Sequence, residues 1–202
     1  MTGTPTPRVL LFASLSLLAA VGLTGCGSNS FSFGSDTHNK MIVSVRDQKM
    51  LLVRDGTPVK SYKISTSKFG IGDRPGSNCT PLGHLKVAKK IGDQAPIGSV
   101  FKNRRRTGEV LTPNAPGRDP VVTRILWLTG TESRNQNAFR RTIYIHGTPE
   151  ERRLGSPASY GCIRMGSRDV ADLYNRIGTG ADVFVIRGSI QTKSESQASA
   201  SL

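Results

Sequence analysis

The 202-residue chain predicts a mainly β domain carrying one clear helix, near residues 167–177. Three observations support this. Short runs rich in Val, Ile, Leu, Tyr and Phe recur from Met41 to Arg187, as strands packed on a core require. Turn-forming residues punctuate those runs at short intervals. Only "SRDVADLYNRIG" spaces its apolar residues for a helix.

Taken in order, "MIVSVR", "KMLLVR" and "VKSYKIS" read as three strands of a meander. Asp47-Gln48 joins the first pair, and "DGTP" at Asp55 to Pro58 joins the second, since Asp-Gly supplies the two positive-φ residues of a tight hairpin. Further strands are expected in "HLKVAKK" after Gly83, "TRILWLTG" from Thr123, "RTIYIHG" ending at Gly147, and "DVFVIRG" from Asp182. In the helix Ser167 is placed to cap the N-terminus, Asp169 sits in the positive first turn, and Val170, Leu173, Tyr174 and Ile177 share a face. Gly178 suits its C-terminal cap. From about Gly92 to Val122 the chain is rich in Pro, Gly, Asn and Arg, and is expected to form a long loop, either a functional lid or disordered.

The ends differ from this body. Arg8 is the only charge in the first thirty residues, and Val9 to Leu23 form an apolar run too short for a comfortable membrane span. "LTGC" follows, and a Leu and two small residues before Cys26 resemble a bacterial lipobox. Residues 1–25 are therefore expected to be a lipoprotein signal peptide and Cys26 the lipidated mature N-terminus, the alternative being an uncleaved anchor in which Cys26 is incidental. Either arrangement places the body in the cell envelope, facing the periplasm. Gly27, rather than aspartate, tilts the address towards the outer membrane of a two-membrane cell. Residues 26–40 read as a flexible tether, 189–202 as a disordered tail, and 41–188 as one domain. A net charge of +14 would suggest nucleic acid for a cytosolic protein, but an exported body meets none; its anionic neighbours are cell wall and lipid head groups. "KNRRR" at Lys102 to Arg106 reads as a solvated loop face rather than a specific anion site.

One thiol stands out. Cys162 lies in "SPASYGCIRM", and a cysteine becomes an acyl acceptor only with a neighbouring base and with N–H groups aimed at the developing oxyanion. His146 ends a strand sixteen positions earlier, and Gly161 permits a tight turn that bares backbone N–H groups. From the residues alone, a packed cysteine and a structural histidine remain alternatives. Cys79 is expected to stay unpaired, His84 to decorate a strand, and His38 to belong to the tether. The three histidines and three cysteines show no paired spacing, so neither a metal nor another cofactor is expected.

"IHGT", a spacer and "S-x-G-C-I-R-M" together resemble the L,D-transpeptidase catalytic domain, the YkuD family. So do the opening meander, "TPLG" at Thr80 to Gly83 and "RILWLTGTESRN", which extends the resemblance over about residues 41–187. It implies a mixed β-sandwich or barrel-like fold and a monomer acting on peptidoglycan stem peptides as donor and acceptor. Cys162 would attack the carbonyl of the third stem residue, release D-Ala, and pass the acyl group from a thioester to another stem's amine, making a 3→3 cross-link. His146 would be the base, with the carbonyl of Gly147 fixing its tautomer. The N–H groups of Tyr160, Gly161 and Cys162 would form the oxyanion hole. Arg164 and Ser159 fall on the substrate side; Arg164 would hold a stem carboxylate or else pair with an internal acid. Many family members carry histidine where this chain has Tyr160, so rate and acceptor choice are what that change would alter. Transfer to water, cleavage of existing cross-links, attachment of a protein lysine, and an inactive wall-binding lipoprotein are the competing readings.

Overall fold

The computed structural model describes residues 1–3 and 35–190. The described residues form ten strands: β1 Asn39–Ser44, β2 Lys49–Arg54, β3 Thr57–Ser65, β4 Gly83–Ile91, β5 Ser99–Lys102, β6 Arg105–Val110, β7 Val121–Gly130, β8 Tyr144–Gly147, β9 Ile163–Met165 and β10 Asp182–Ile186. The helix α1 spans Ser167–Arg176. Strands pair in the order β4-β10-β1-β2-β3-β9-β8-β7, and β7 pairs back onto β4, so eight strands close into a barrel-like sheet. Closure removes the exposed edges that an open sheet would leave. The β5–β6 hairpin pairs with the first residues of β7, outside the ring.

Alternation along the strands fills the interior. Met41 and Val43, Met50 and Leu52, Tyr62 and Ile64, Leu85 and Val87, Leu126 and Leu128, and Val183 and Val185 all point into one core. The apolar stripe of α1, Val170, Leu173, Tyr174 and Ile177, joins it. The expected meander is present as β1, β2 and β3 in antiparallel pairs. Its second turn has both Asp55 and Gly56 at positive φ, +48° and +80°, the conformation that Asp-Gly tolerates.

Several expectations change. The 92–122 segment is not an unbroken loop, because β5 and β6 form a hairpin inside it. Every residue of β6 is exposed, so it has no apolar alternation to betray it. "KNRRR" is the tip of that hairpin, with Asn103 and Arg104 at φ +49° and +65°. "RTIYIHG" is strand only from Tyr144, and β9 is a three-residue strand too short for a pattern. Ser167 does not cap α1: Gly166 is the cap residue, and the Ser167 N–H donates to the Glu151 carboxylate at 2.8 Å. Gly178 likewise lies beyond the cap residue Ile177, and its N–H donates to Asp36 at 2.6 Å. That contact also shows the end of the expected tether packed, since Asn39 and Lys40 are already strand and His38 lies 2.7 Å from Asp55. Ser189 and Ile190, the start of the expected tail, both donate to Asp47. Cys26 and the leader lie outside the described residues.

Candidate active site

Pleating brings the sequence-selected residues together. β8 and β9 run parallel with Ile145 opposite Ile163 and His146 opposite Arg164. Ile145, Ile163 and Met165 fill the barrel, so alternation sends Tyr144, His146 and Arg164 to the outer face. On the other side of β8, Ile125 and Trp127 of β7 stand opposite His146 and Tyr144. Cys162, just before β9, packs on this outer face with Ile125, Tyr144 and Phe101 of the β5–β6 hairpin.

His146 is 5% exposed, and its Nδ1 lies 2.8 Å from the carbonyl oxygen of Gly147. A carbonyl can only accept, so Nδ1 carries the proton and Nε2 keeps the lone pair of a base. Burial, with help from the Arg164 charge, lowers its pKa to about 4. The thiol moves oppositely, pushed up to about 11 by burial, although the Tyr144 N–H, 3.4 Å from Sγ, pulls the other way. At neutral pH Cys162 is therefore a thiol and His146 a neutral imidazole. The thiol faces the carbonyl of Thr142 at 3.5 Å. Thr142 holds φ +56°, costly for a β-branched residue, and this strain sits where the chain enters β8 beside Cys162.

The turn before Cys162 is braced from both sides. Ser159 Oγ donates to the Cys162 carbonyl at 2.5 Å and accepts from the Gly161 N–H at 3.2 Å. Thr80, fully buried, donates its hydroxyl to the Gly161 carbonyl at 3.0 Å, which gives the Thr-Pro-Leu-Gly segment its job here. Two site expectations are corrected as a result. Ser159 is 1% exposed and holds the turn rather than facing substrate, and the Gly161 N–H is already committed to it. Among the described residues, the N–H groups of Tyr160 and Cys162 donate to nothing, so these two are the ones open to an oxyanion.

Arg164 takes the internal option. It is 6% exposed and pairs with Asp119 at 2.5 Å and Glu150 at 3.4 Å, which leaves its charge balanced within the fold instead of free for a stem carboxylate. Tyr160 is not packed beside the thiol. Its ring is 58% exposed, 5.3 Å from that of Phe69, and its hydroxyl accepts from Lys68 at 3.1 Å, which lowers the phenol's pKa. Cys79 and Cys162 are both free thiols, and His84 stacks on Phe184 while bonding Asp182 at 2.7 Å.

Sequence reasoning missed Arg141. Its guanidinium pairs with Asp73 at 2.9 Å, both side chains under a tenth exposed, and reaches the carbonyls of Gly72 and Cys79. It thereby clamps the 72–79 segment against the start of β8. Neutralising one member of a buried pair typically costs about 3–5 kcal/mol, so Arg141→Met is expected to lower the urea midpoint accordingly. An unchanged midpoint would show that the clamp does not hold the fold. Gly161 makes a second prediction. It sits at φ +118°, and a Cβ there would lie 3.2 Å from the Cys79 carbonyl oxygen and 3.3 Å from Ile143 Cδ1. Gly161→Ala should cost about 1–3 kcal/mol of stability and slow Cys162 acylation more than any thermal shift accounts for, both read on one purified variant.

No curated protein matches the chain. Solved structures similar to it include an L,D-transpeptidase from Mycobacterium smegmatis, at 14% identity and TM-score 0.48 over 74% of this chain and 58% of that one. An L,D-transpeptidase from Mycobacterium tuberculosis H37Rv matches at 20% identity and TM-score 0.48, again over 74% and 58%. L,D-transpeptidase 3 from Mycobacterium tuberculosis, in complex with a faropenem-derived adduct, matches at 20% identity and TM-score 0.47 over 73% and 60%. The chain thus spans about three-fifths of each of these structures. The family model for the L,D-transpeptidase catalytic domain matches residues 38–186, from the residue before β1 to the end of β10, a segment that contains both His146 and Cys162; the chain belongs to that family.

Proposed function

We propose that this protein is a peptidoglycan L,D-transpeptidase, making 3→3 cross-links through a thioester on Cys162. The observation that carries this is the pairing of β8 with β9, which sets a buried, tautomer-fixed His146 and Cys162 on one face of adjacent strands.

In the first half-reaction Sγ bonds to the carbonyl carbon of the third stem residue as His146 Nε2 takes the thiol proton. The oxyanion rests on the N–H groups of Cys162 and Tyr160. The C–N bond to D-Ala then breaks, and Nε2 returns its proton to the departing amine, leaving the thioester. An amine from a second stem attacks, loses its proton to Nε2, and expels the sulfur, which is reprotonated as the amide forms. Each oxyanion donor in such a site lowers the barrier by about 3–4 kcal/mol.

The lipid anchor at Cys26, an envelope location facing the periplasm, an outer-membrane address and a monomeric state complete the proposal; "LTGC" and Gly27 support its membrane part. Hydrolysis, cross-link cleavage and protein attachment use the same acyl-enzyme and differ only in acceptor. The test is purified full-length protein in detergent with disaccharide tetrapeptides, products resolved by mass. Dimers lacking one D-Ala are expected; tripeptide monomers alone would make it a carboxypeptidase, and no change would favour the inactive wall-binder. Radiolabelled palmitate should be incorporated in cells, and Cys26→Ala should abolish it.

A further inference from the structure

A cavity of about 270 Å³ opens on the outer face of β7 and β8. It is lined by Phe101, Asn103, Arg104, Ile125, Thr142 and Tyr144, among others. Two of these touch Cys162 directly: the Tyr144 N–H donates to Sγ, and the Thr142 carbonyl accepts from it. A liquid water occupies about 30 Å³, so the space suits a group the size of one or two amino-acid residues.

Arg141 and Arg164 are the charges that act on the Cys162 thiol, whereas Arg104 lines the cavity, and their pairing differs. Arg141 is matched by Asp73, and Arg164 by Asp119 and Glu150. Arg104, at the tip of the β5–β6 hairpin, has no carboxylate within ion-pairing distance among the described residues. It is nevertheless held in place: its guanidinium lies 4.8 Å from the centre of the Trp127 ring, and Nη1 donates to Tyr144 Oη at 3.4 Å. The planar guanidinium presents its remaining N–H donors as a fork, which is the geometry that carboxylates accept. The geometry points to Arg104 as a specificity-determining residue that binds a carboxylate of the donor stem peptide in the cavity next to Cys162.

This inference rests on the transpeptidase reading above. Among tetrapeptides that each have one carboxylate converted to carboxamide, one member should lose about 10- to 100-fold in kcat/KM with wild type, as charge-assisted hydrogen bonds of this kind imply. Arg104→Gln should lose a similar factor on the unmodified tetrapeptide and become indifferent to that same amide, while Arg104→Lys recovers part of the loss. Arg105→Gln removes an equal charge from the same hairpin but lies outside the cavity lining, and should behave as wild type. Should Arg104→Gln match wild type on every peptide, or keep the full amide discrimination, the assignment is overturned while the transpeptidase reading stands. A wild-type protein that turns over none of the peptides overturns both.

Discussion

Cys162→Ala is expected to abolish thioester formation, lowering turnover by at least about 10⁴-fold, as removal of a covalent nucleophile does elsewhere. The fold should survive. Cys162 is only partly buried, and its neighbours Ile125, Tyr144 and Phe101 are anchored by their own strands, so the stability cost should be about 1 kcal/mol, a typical single-substitution value. Cys79→Ala should leave turnover unchanged, since the Cys79 thiol faces the carbonyls of Phe69 and Ser77. Turnover that persisted in Cys162→Ala would move the chemistry elsewhere.

His146→Gln should be the second-largest loss, about 10²- to 10⁴-fold in kcat/KM, the usual span for a positioned base. Its pH profile is diagnostic. Wild-type activity should be flat through neutrality and fall only as pH approaches about 4, where the depressed His146 finally protonates. The variant should instead climb towards pH 11, where the thiol ionises without help. Stability follows by linkage. Because the folded pKa of His146 lies below its ordinary 6.5, the unfolded chain binds a proton that the native state refuses, and stability falls as pH drops from 6.5 towards 4. The thiol acts at the other end: its folded pKa lies above the ordinary 9.0, so stability declines between pH 9 and 11. His146→Gln should flatten the acid slope and leave the alkaline one. Urea unfolding across pH reads both.

What was legible in the sequence was whatever produced a local pattern. The meander announced itself through β-branched runs around Asp55-Gly56, and α1 through the spacing of Val170, Leu173 and Ile177. His146 and Cys162 were found because residue types and spacing match a known motif, and the structure adds why they share a face: His146 lies in β8, and Cys162 immediately precedes β9, its parallel neighbour. Three kinds of information were absent. β6 is exposed throughout and so carries no hydrophobic period. Ser159 and Arg164 lie in the motif, yet nothing local says that the first bonds its own turn and the second meets Asp119, forty-five positions away. Arg104 and Arg141 look like any other cations of a basic chain, and only the ring of Trp127 and the carboxylate of Asp73 distinguish them.

The most direct test of the central claim is intact mass after mixing the purified full-length protein with a tetrapeptide stem and quenching in acid. The account predicts an adduct equal to the peptide minus D-Ala on wild type and on Cys79→Ala, and none on Cys162→Ala. An adduct retained in Cys162→Ala, or its absence from a wild-type protein whose Cys162 thiol is shown to be free, would contradict it.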